Sequence, residues 1–219
     1  MPFNLPYEFE FDPTALADAS RLLADCRAEL PGVIPSALRA AYFSMLKDFC
    51  DKTNVWQEDI DVPLVANTLS YTMTPAGNGS IIRLLNLFDS QDATERWYDR
   101  CSMRVPGALI LANAPSTTGQ TLVARVAKTV FDPVDDNGLP IIDAWIIQRY
   151  WDTLKAGTIA RLMMQPMKTY TNVQLAGIQM KIYGNGRNVA RDEVVKANVF
   201  GQTAWAFPQT TGVSRQRGT

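Results

Sequence analysis

The spacing of the apolar residues changes after Asn54, and this change limits the folds open to the chain. Up to Asn54 apolar residues recur every three or four positions, and beyond it they alternate with polar ones. The first spacing places side chains on one face of an α-helix, whereas alternation places them on one face of a β-strand. The helical spacing returns near Leu139. The sequence therefore predicts an α+β chain of about four helices, which pack as one layer and carry an inserted antiparallel β module.

Two helices are predicted before the change. The first begins at Asp12 and Pro13, an N-cap and a residue favoured in the first turn, and ends at residues 30–32, the sequence LPG. The second begins at Pro35 and Ser36. Its apolar stripe consists of Leu38, Ala41 or Tyr42, Met45 or Leu46, and Phe49. Because each helix has one apolar face, both need a partner layer.

Residues 55–131 are expected to form the β module. Strands are predicted at residues 68–73, 81–88, 108–111 and 122–131, where apolar and polar residues alternate or β-branched residues cluster. In the first of these, Leu69, Tyr71 and Met73 share the face predicted to be buried. Pro63 indicates an edge strand or a strand start, because proline cannot donate to a sheet. Residues 114–120 read as a flexible polar tip.

Two further helices are predicted after the β module. Residues 139–166 carry apolar side chains on several sides, and Trp145, Tyr150 and Trp151 are expected in the core. Gly157 indicates a close neighbour, because glycine costs roughly 1 kcal/mol against alanine inside a helix. The last helix is expected at residues 172–201, with a kink or break at 183–188, the sequence YGNGRN. Its predicted apolar stripe contains Leu175, Ile178 or Gln179, Ile182, Val189, Val194 or Val195, and Val199.

The predicted organisation has four segments. Residues 1–54 form the N-terminal helices of the bundle, residues 55–138 the inserted β module, and residues 139–203 the C-terminal helices. Residues 204–219 form an extended C-terminal arm. Residues 1–13 are acidic and lack the basic stretch of a secretory signal, so assembly in a cytoplasm is expected.

The absence of histidine limits the chemistry available to the chain. Histidine is the usual general base near neutral pH, and cysteine or serine nucleophiles usually need one beside them. The three cysteines, Cys26, Cys50 and Cys101, match no metal-binding spacing and are expected to be buried thiols in a reducing compartment. We expect no catalytic activity, no cofactor and no bound metal.

Four short segments are candidates for sites. Glu58, Asp59 and Asp61 could bind a divalent cation, but a solvated or subunit-facing strand edge is favoured, since no calcium-loop spacing follows. The glycine-rich residues 77–80 and 184–186 lack a complete phosphate-binding pattern and are expected to be turns. Residues 96–104 mix aromatic residues with arginines, as in single-strand binders, but packing between subunits is favoured. The 21 basic and 22 acidic residues argue against a dominant basic surface for nucleic acid.

The order of these segments resembles the head-to-tail adaptor, or connector, proteins of tailed bacteriophages, called tail tubular protein A in some short-tailed phages. The likeness lies in residues 11–61, in residues 62–75, in residues 139–166 and in LAGIQMKIYGNGRNVARDEV at 175–194. Its most specific element is Phe-Cys-x-x-Thr-x-x-Trp at residues 49–56, where the family similarly ends a helix and enters a hairpin. YGNGRN departs from the unbroken, alanine-rich helix of the family.

The resemblance implies a structural virion protein at the head–tail junction, assembled in the host cytoplasm. Twelve copies would form a homo-oligomeric ring between the portal protein and the tail tube or nozzle protein. Double-stranded DNA would pass through the channel during genome ejection without specific binding, and no membrane is involved. The balanced charge agrees with this role, because a basic lining would hold the phosphates.

Two contact regions are expected on such a subunit. A loop facing the tail would contain Ser116, Thr117, Thr118 and Gly119. The C-terminal arm would dock on the portal through aromatic anchors and basic residues, namely Trp205, Phe207, Arg215 and Arg217. Two alternatives stay open: a small hydrolase or nucleotide-binding protein with an unrecognised site, and a module that binds the DNA end.

Overall fold

The computed structural model describes residues 13–76, 79–91, 101–116, 118–131, 139 and 142–197. Its five helices are α1 (Pro13–Glu29), α2 (Pro35–Thr53), α3 (Ala144–Arg149), α4 (Trp151–Met163) and α5 (Val173–Ala197). Its six strands are β1 (Gln57–Pro63), β2 (Ser70–Thr72), β3 (Ser80–Asp89), β4 (Cys101–Val105), β5 (Ala108–Leu111) and β6 (Thr121–Thr129). The chain is thus a mixed α and β protein, as the sequence predicts. Asp12, the predicted N-cap of α1, lies outside these residues.

The strands form two antiparallel sheets of three strands each, in the orders β1-β6-β3 and β2-β5-β4. Apolar residues from both sheets, such as Leu122 on β6 and Leu109 on β5, belong to one buried cluster. The two sheets therefore share a core. Pro63 ends β1, whose described hydrogen-bonded neighbour is β6, and the predicted edge position is confirmed.

The helices enclose a second core, in which α4 is central. All the residues of the predicted α2 stripe are buried, including Tyr42, Leu46 and Phe49. Helix α4 packs against α1, α2 and α5. On one side of α4, Lys155 pairs with Glu29 of α1 at 2.6 Å. On the other side, Gly157 lies so close to α5 that an added Cβ would be 2.7 Å from the Tyr183 ring. Gly157 thus has a close neighbour, which is a side chain and not another backbone.

The predicted third helix is divided at Tyr150. The backbone of Tyr150 has φ −111° and ψ 26°, outside the α-helical region, so α3 ends before this residue and α4 begins after it. The Tyr150 ring centroid lies 5.0 Å from that of Phe49, and its hydroxyl donates to Glu193 Oε2 at 2.7 Å. These two contacts hold the residue away from regular helix geometry.

Trp145 does not lie in the core, contrary to expectation. It is 46% exposed, because Ile146 and Ile147 supply the buried face of the short helix α3. Leu69, expected on a buried strand face, is also exposed, because β2 begins only at Ser70.

Helix α5 runs without a break through YGNGRN, so the predicted interruption and the turn at 184–186 are both wrong. The two glycines there differ in their surroundings. A Cβ at Gly184 would meet nothing within 4 Å. One at Gly186 would lie within 2.9 Å of Cβ and 2.7 Å of Cγ2 of Thr153 on α4. Gly186 therefore allows α4 and α5 to approach, and neighbouring packing keeps the helix continuous.

These two glycines give a matched test of helix packing. Gly186→Ala should destabilise the fold by about 1–3 kcal/mol, since rotation of Thr153 cannot move its own Cβ out of contact. Gly184→Ala should stabilise it by up to about 1 kcal/mol through helix propensity. Thermal unfolding followed by circular dichroism would compare the two variants. Equal shifts in Tm for both variants would contradict the assigned contact.

Candidate functional site

The acidic residues of β1 are held by basic partners on β6. Glu58 accepts from Lys128 Nζ at 2.7 Å and from the backbone N–H of Ala76 at 2.6 Å. On the other face of the strand, Asp59 accepts two hydrogen bonds from the guanidinium of Arg125, at 2.7 and 2.6 Å. Their mutual hydrogen bonds raise the pKa of Arg125. Asp61 is exposed.

Glu58 and Asp59 therefore face opposite sides of the sheet and do not converge on one point. In the described part of the chain, no group of three or more His, Cys, Asp or Glu side chains could hold a metal ion. The favoured interpretation, a strand edge, agrees with this arrangement. Whether a neighbouring subunit shares that edge stays a prediction.

Trp56 links the helical part to the sheet. Its indole N–H donates to Asp143 Oδ2 at 3.1 Å, just before α3, and its carbonyl accepts from the Lys128 N–H at 2.8 Å. The Lys128 ammonium lies 4.5 Å from the centroid of the indole ring. The indole also packs closely against Gly79, because a Cβ added at that glycine would lie only 2.7 Å from Cη2 of the ring. One buried aromatic residue thus contacts three separate segments of the chain.

The end of α2 positions Trp56. The Thr53 hydroxyl donates to the Phe49 carbonyl at 2.7 Å and accepts from the Val55 N–H at 3.3 Å. Asn54 adopts a left-handed conformation, with φ 54°, and its N–H donates to the Cys50 carbonyl at 3.0 Å. Asparagine tolerates this conformation better than most residues. These contacts give a local structural reason for the Phe-Cys-x-x-Thr-x-x-Trp segment.

The two ion pairs of β1 and β6 should differ in their effect on stability. Glu58→Gln should destabilise the fold by about 3 kcal/mol, because it leaves the buried Lys128 ammonium without its carboxylate. Asp59→Asn should change the free energy of unfolding by less than about 1 kcal/mol, because that pair is partly solvated. Urea denaturation would measure both. Adding Lys128→Met to Glu58→Gln should recover most of the loss, and failure to recover would contradict a charge effect.

Two loops at one end of the sheets form a surface that we call the loop pad, made of residues 64–69 with 112–116 and 118–120. Ser116, Thr118 and Gly119 of the predicted tail-facing loop are exposed there, whereas Thr117 lies outside the described residues. The loops are tied together by four hydrogen bonds. The N–H groups of Leu64, Gly119 and Asn67 donate to the carbonyls of Gln120, Leu64 and Pro115, respectively, and the Ala66 N–H donates to Thr118 Oγ1. The flexibility of the tip stays a prediction.

The loop pad also has apolar side chains that the sequence reading missed. Val65 and Leu69 are each about half exposed. Tyr71, buried beneath them, donates its hydroxyl to the Val65 and Thr68 carbonyls at 3.1 Å and accepts from the Val65 N–H at 3.2 Å. The available signal was Pro63, predicted to lie at an edge or a strand start; in the structure it ends β1 and residues 64–69 follow it as a loop.

Helix α5 presents a second exposed surface, which we call the apolar band: Leu175, Ile178, Ile182 and Val189. The helix packs on its neighbours through a different face, which contains Ala176, Tyr183 and Ala190. Burial raises the pKa of Tyr183, as does the hydrogen bond that its hydroxyl donates to Asp48 at 2.7 Å. Leu175, Ile178, Ile182 and Val189 of the predicted stripe are thus exposed, and the buried face carries two alanines and one tyrosine instead.

The cysteines do not form a reactive site. Cys26 and Cys50 are buried in the helical core, and Cys101 on β4 is half-buried. Burial raises the pKa of Cys26 to about 12 and also raises that of Cys50. The expectation of buried thiols holds for two of the three.

Thiol reactivity should follow this burial. At pH 8 a disulfide reagent should modify Cys101 quickly, and Cys26 and Cys50 only after unfolding, because the thiolate is the reacting form. Absorbance of the released thiolate would count the reactive groups with and without denaturant. Cys101→Ser should remove the fast phase; a fast phase that persists would show that a core thiol is accessible.

Several predicted features lie outside the described residues. They include Trp205, Phe207, Arg215 and Arg217 of the arm, the glycine-rich residues 77 and 78, and residues 96–100 of the aromatic and arginine segment. The portal contact therefore stays a prediction.

None of the helices in the described ranges is long and apolar enough to cross a membrane. Comparison of the sequence with known protein-family models finds no match, and comparison with curated proteins finds no significant relative.

Proposed function

We propose that the chain is a structural virion protein, the subunit of a ring-shaped head-to-tail adaptor in a tailed bacteriophage. The ring, with twelve copies as the resemblance implies, joins the portal to the tail tube or nozzle around the DNA exit channel. The observation that carries the proposal is the apolar band of α5, which a single subunit leaves exposed to water. An exposed apolar helix face of this kind is characteristic of a protein contact surface.

In this proposal the two parts of the chain have separate roles. The five helices form a bundle that builds the ring, and the β module, residues 55–138, extends along the channel axis. The loop pad faces the tail, where its hydrogen-bonded backbone and its exposed Val65 and Leu69 offer a preformed apolar contact. The arm, residues 204–219, docks on the portal.

The distribution of charge supports passage of DNA. Among the described residues, five basic side chains lie within 3.2 Å of a carboxylate: Arg125 with Asp59, Lys128 with Glu58, Arg149 with Glu193, Lys155 with Glu29, and Arg187 with Asp48. Paired cations attract phosphate less than unpaired ones do. A subunit of this kind suits a channel through which DNA slides rather than one that binds it.

The nucleotide-binding alternative loses its best candidate at residues 184–186. A phosphate-binding loop uses backbone N–H groups that are available at the start of a helix. Residues 184–186 lie in the interior of α5, where the N–H groups point along the helix to carbonyls one turn away.

Electron microscopy of the purified protein, alone and with a portal, tests the proposal. We expect rings at high subunit concentration, and a sedimentation coefficient that rises with concentration. Ile182→Asp, which places a charge in the apolar band, should leave the protein monomeric with an unchanged Tm. Asn188→Asp adds the same charge to the same helix outside the band and should still assemble. A wild-type protein that stays monomeric up to about 1 mM, with or without portal, would overturn the proposal.

A further inference from the structure

The exposed surface of α5 has the composition of a contact surface. Between Val173 and Val189, Lys181 is the sole charged side chain among the exposed residues, and half of those residues are apolar. Buried centres of protein interfaces are depleted in charge in the same way. A solvated helix face would instead carry many Lys and Glu side chains.

Helix α1 has an exposed face made of small side chains, in contrast to the bulky side chains of the apolar band. Ala17, Ser20, Ala24 and Ala28 are all exposed and are spaced three or four residues apart, so they lie on one side of the helix. Because their side chains are small, a second helix can approach the α1 backbone closely along this line. We call this surface the small-residue face.

The two surfaces lie on opposite sides of α4. Lys155 faces α1 and Gly157 faces α5, as their contacts with Glu29 and Tyr183 show. Residues two positions apart on a helix point roughly 200° away from each other. The apolar band and the small-residue face also point away from the buried sides of their own helices. They therefore do not meet within one chain, but they are accessible to a second copy.

We infer that the apolar band of one copy packs against the small-residue face of α1 in the next copy. This inference rests on the proposed function and names the surfaces that build the ring. Bulky side chains on one helix fill the space above small ones on the other, as in ridge-and-groove packing. Because the two surfaces differ, the contact is heterologous, and its repetition forms a ring when the rotation between copies closes.

Charges beside the two surfaces suit such a contact. Arg21 and Asp25 are exposed beside the small-residue face, and Lys181 and Asp192 are exposed beside the apolar band. Each edge thus offers both signs of charge to the other. Charges at the edge of an interface set its register and orientation more than its affinity.

Disulfide cross-linking tests the contact directly. Ile182→Cys would be combined with Ala17→Cys, Ala24→Cys or Ala28→Cys, one at a time, in a Cys101→Ser background. A disulfide forms where two Cα atoms come within about 4.4–6.8 Å, so at least one combination should give a ladder of dimers, trimers and larger species after mild oxidation. Ile182→Cys with Thr72→Cys, at an exposed position of β2 outside both surfaces, should stay monomeric under the same conditions.

A steric variant gives an independent measurement. Ala24→Trp should weaken self-association at least about tenfold in sedimentation experiments, because the added ring prevents close approach of the helices. Asp25→Asn, one position away, should change it less than about threefold. Both substitutions are on the surface of α1, and both variants should keep the wild-type Tm.

The outcomes separate this inference from the proposed function. Rings that form without any cross-linked ladder, or that tolerate Ala24→Trp, would overturn the pairing of α5 with α1 and leave the adaptor function standing. Cross-linked dimers from Ile182→Cys alone would mean that α5 pairs with itself, which also overturns it. Absence of both rings and ladders up to about 1 mM would overturn the inference and the proposed function together.

Discussion

The buried indole of Trp56 is the contact on which the arrangement of helices and sheets depends. It lies at the point where α2 ends and β1 begins, where it donates to Asp143 before α3, contacts Lys128 on β6 and packs against Gly79. A single aromatic side chain therefore joins the segments on either side of the β module. The left-handed Asn54 and the hydroxyl of Thr53 matter because they direct the chain to that position.

The α4–α5 contact is built differently: α5 buries two alanines and one tyrosine, whereas the Leu, Ile and Val side chains of the apolar band lie outside. Gly157 and Gly186 let the two helices approach, so α5 buries Ala176 and Ala190 while the apolar band stays in water. Exposing Ile and Leu side chains forgoes roughly 1.5–3 kcal/mol for each one that burial would have stabilised. A second chain that buries these exposed apolar side chains would explain the arrangement.

This choice of faces also marks the limit of what the sequence could predict. The spacing of apolar residues located α2, its buried stripe, and the strands β3, β5 and β6, since each has one apolar face. Helix α5 has two candidate faces, and hydrophobicity alone favoured the wrong one. Which face of α5 packs against α4 depends on the contact between Gly186 and Thr153 of α4, and Thr153 is distant from Gly186 in sequence. The division at Tyr150 depends likewise on tertiary contacts, with Phe49 and Glu193.

The charged side chains of β1 and β6 pair in a way that suits an assembly. Lys128 is buried against Trp56 and Glu58, and Arg125 binds Asp59, so these four charges are neutralised within the chain before any partner binds. Apolar residues, in contrast, remain exposed on the loop pad and on α5. Association at those two surfaces would bury apolar area without leaving an unpaired charge behind, which is the condition for a stable contact between subunits.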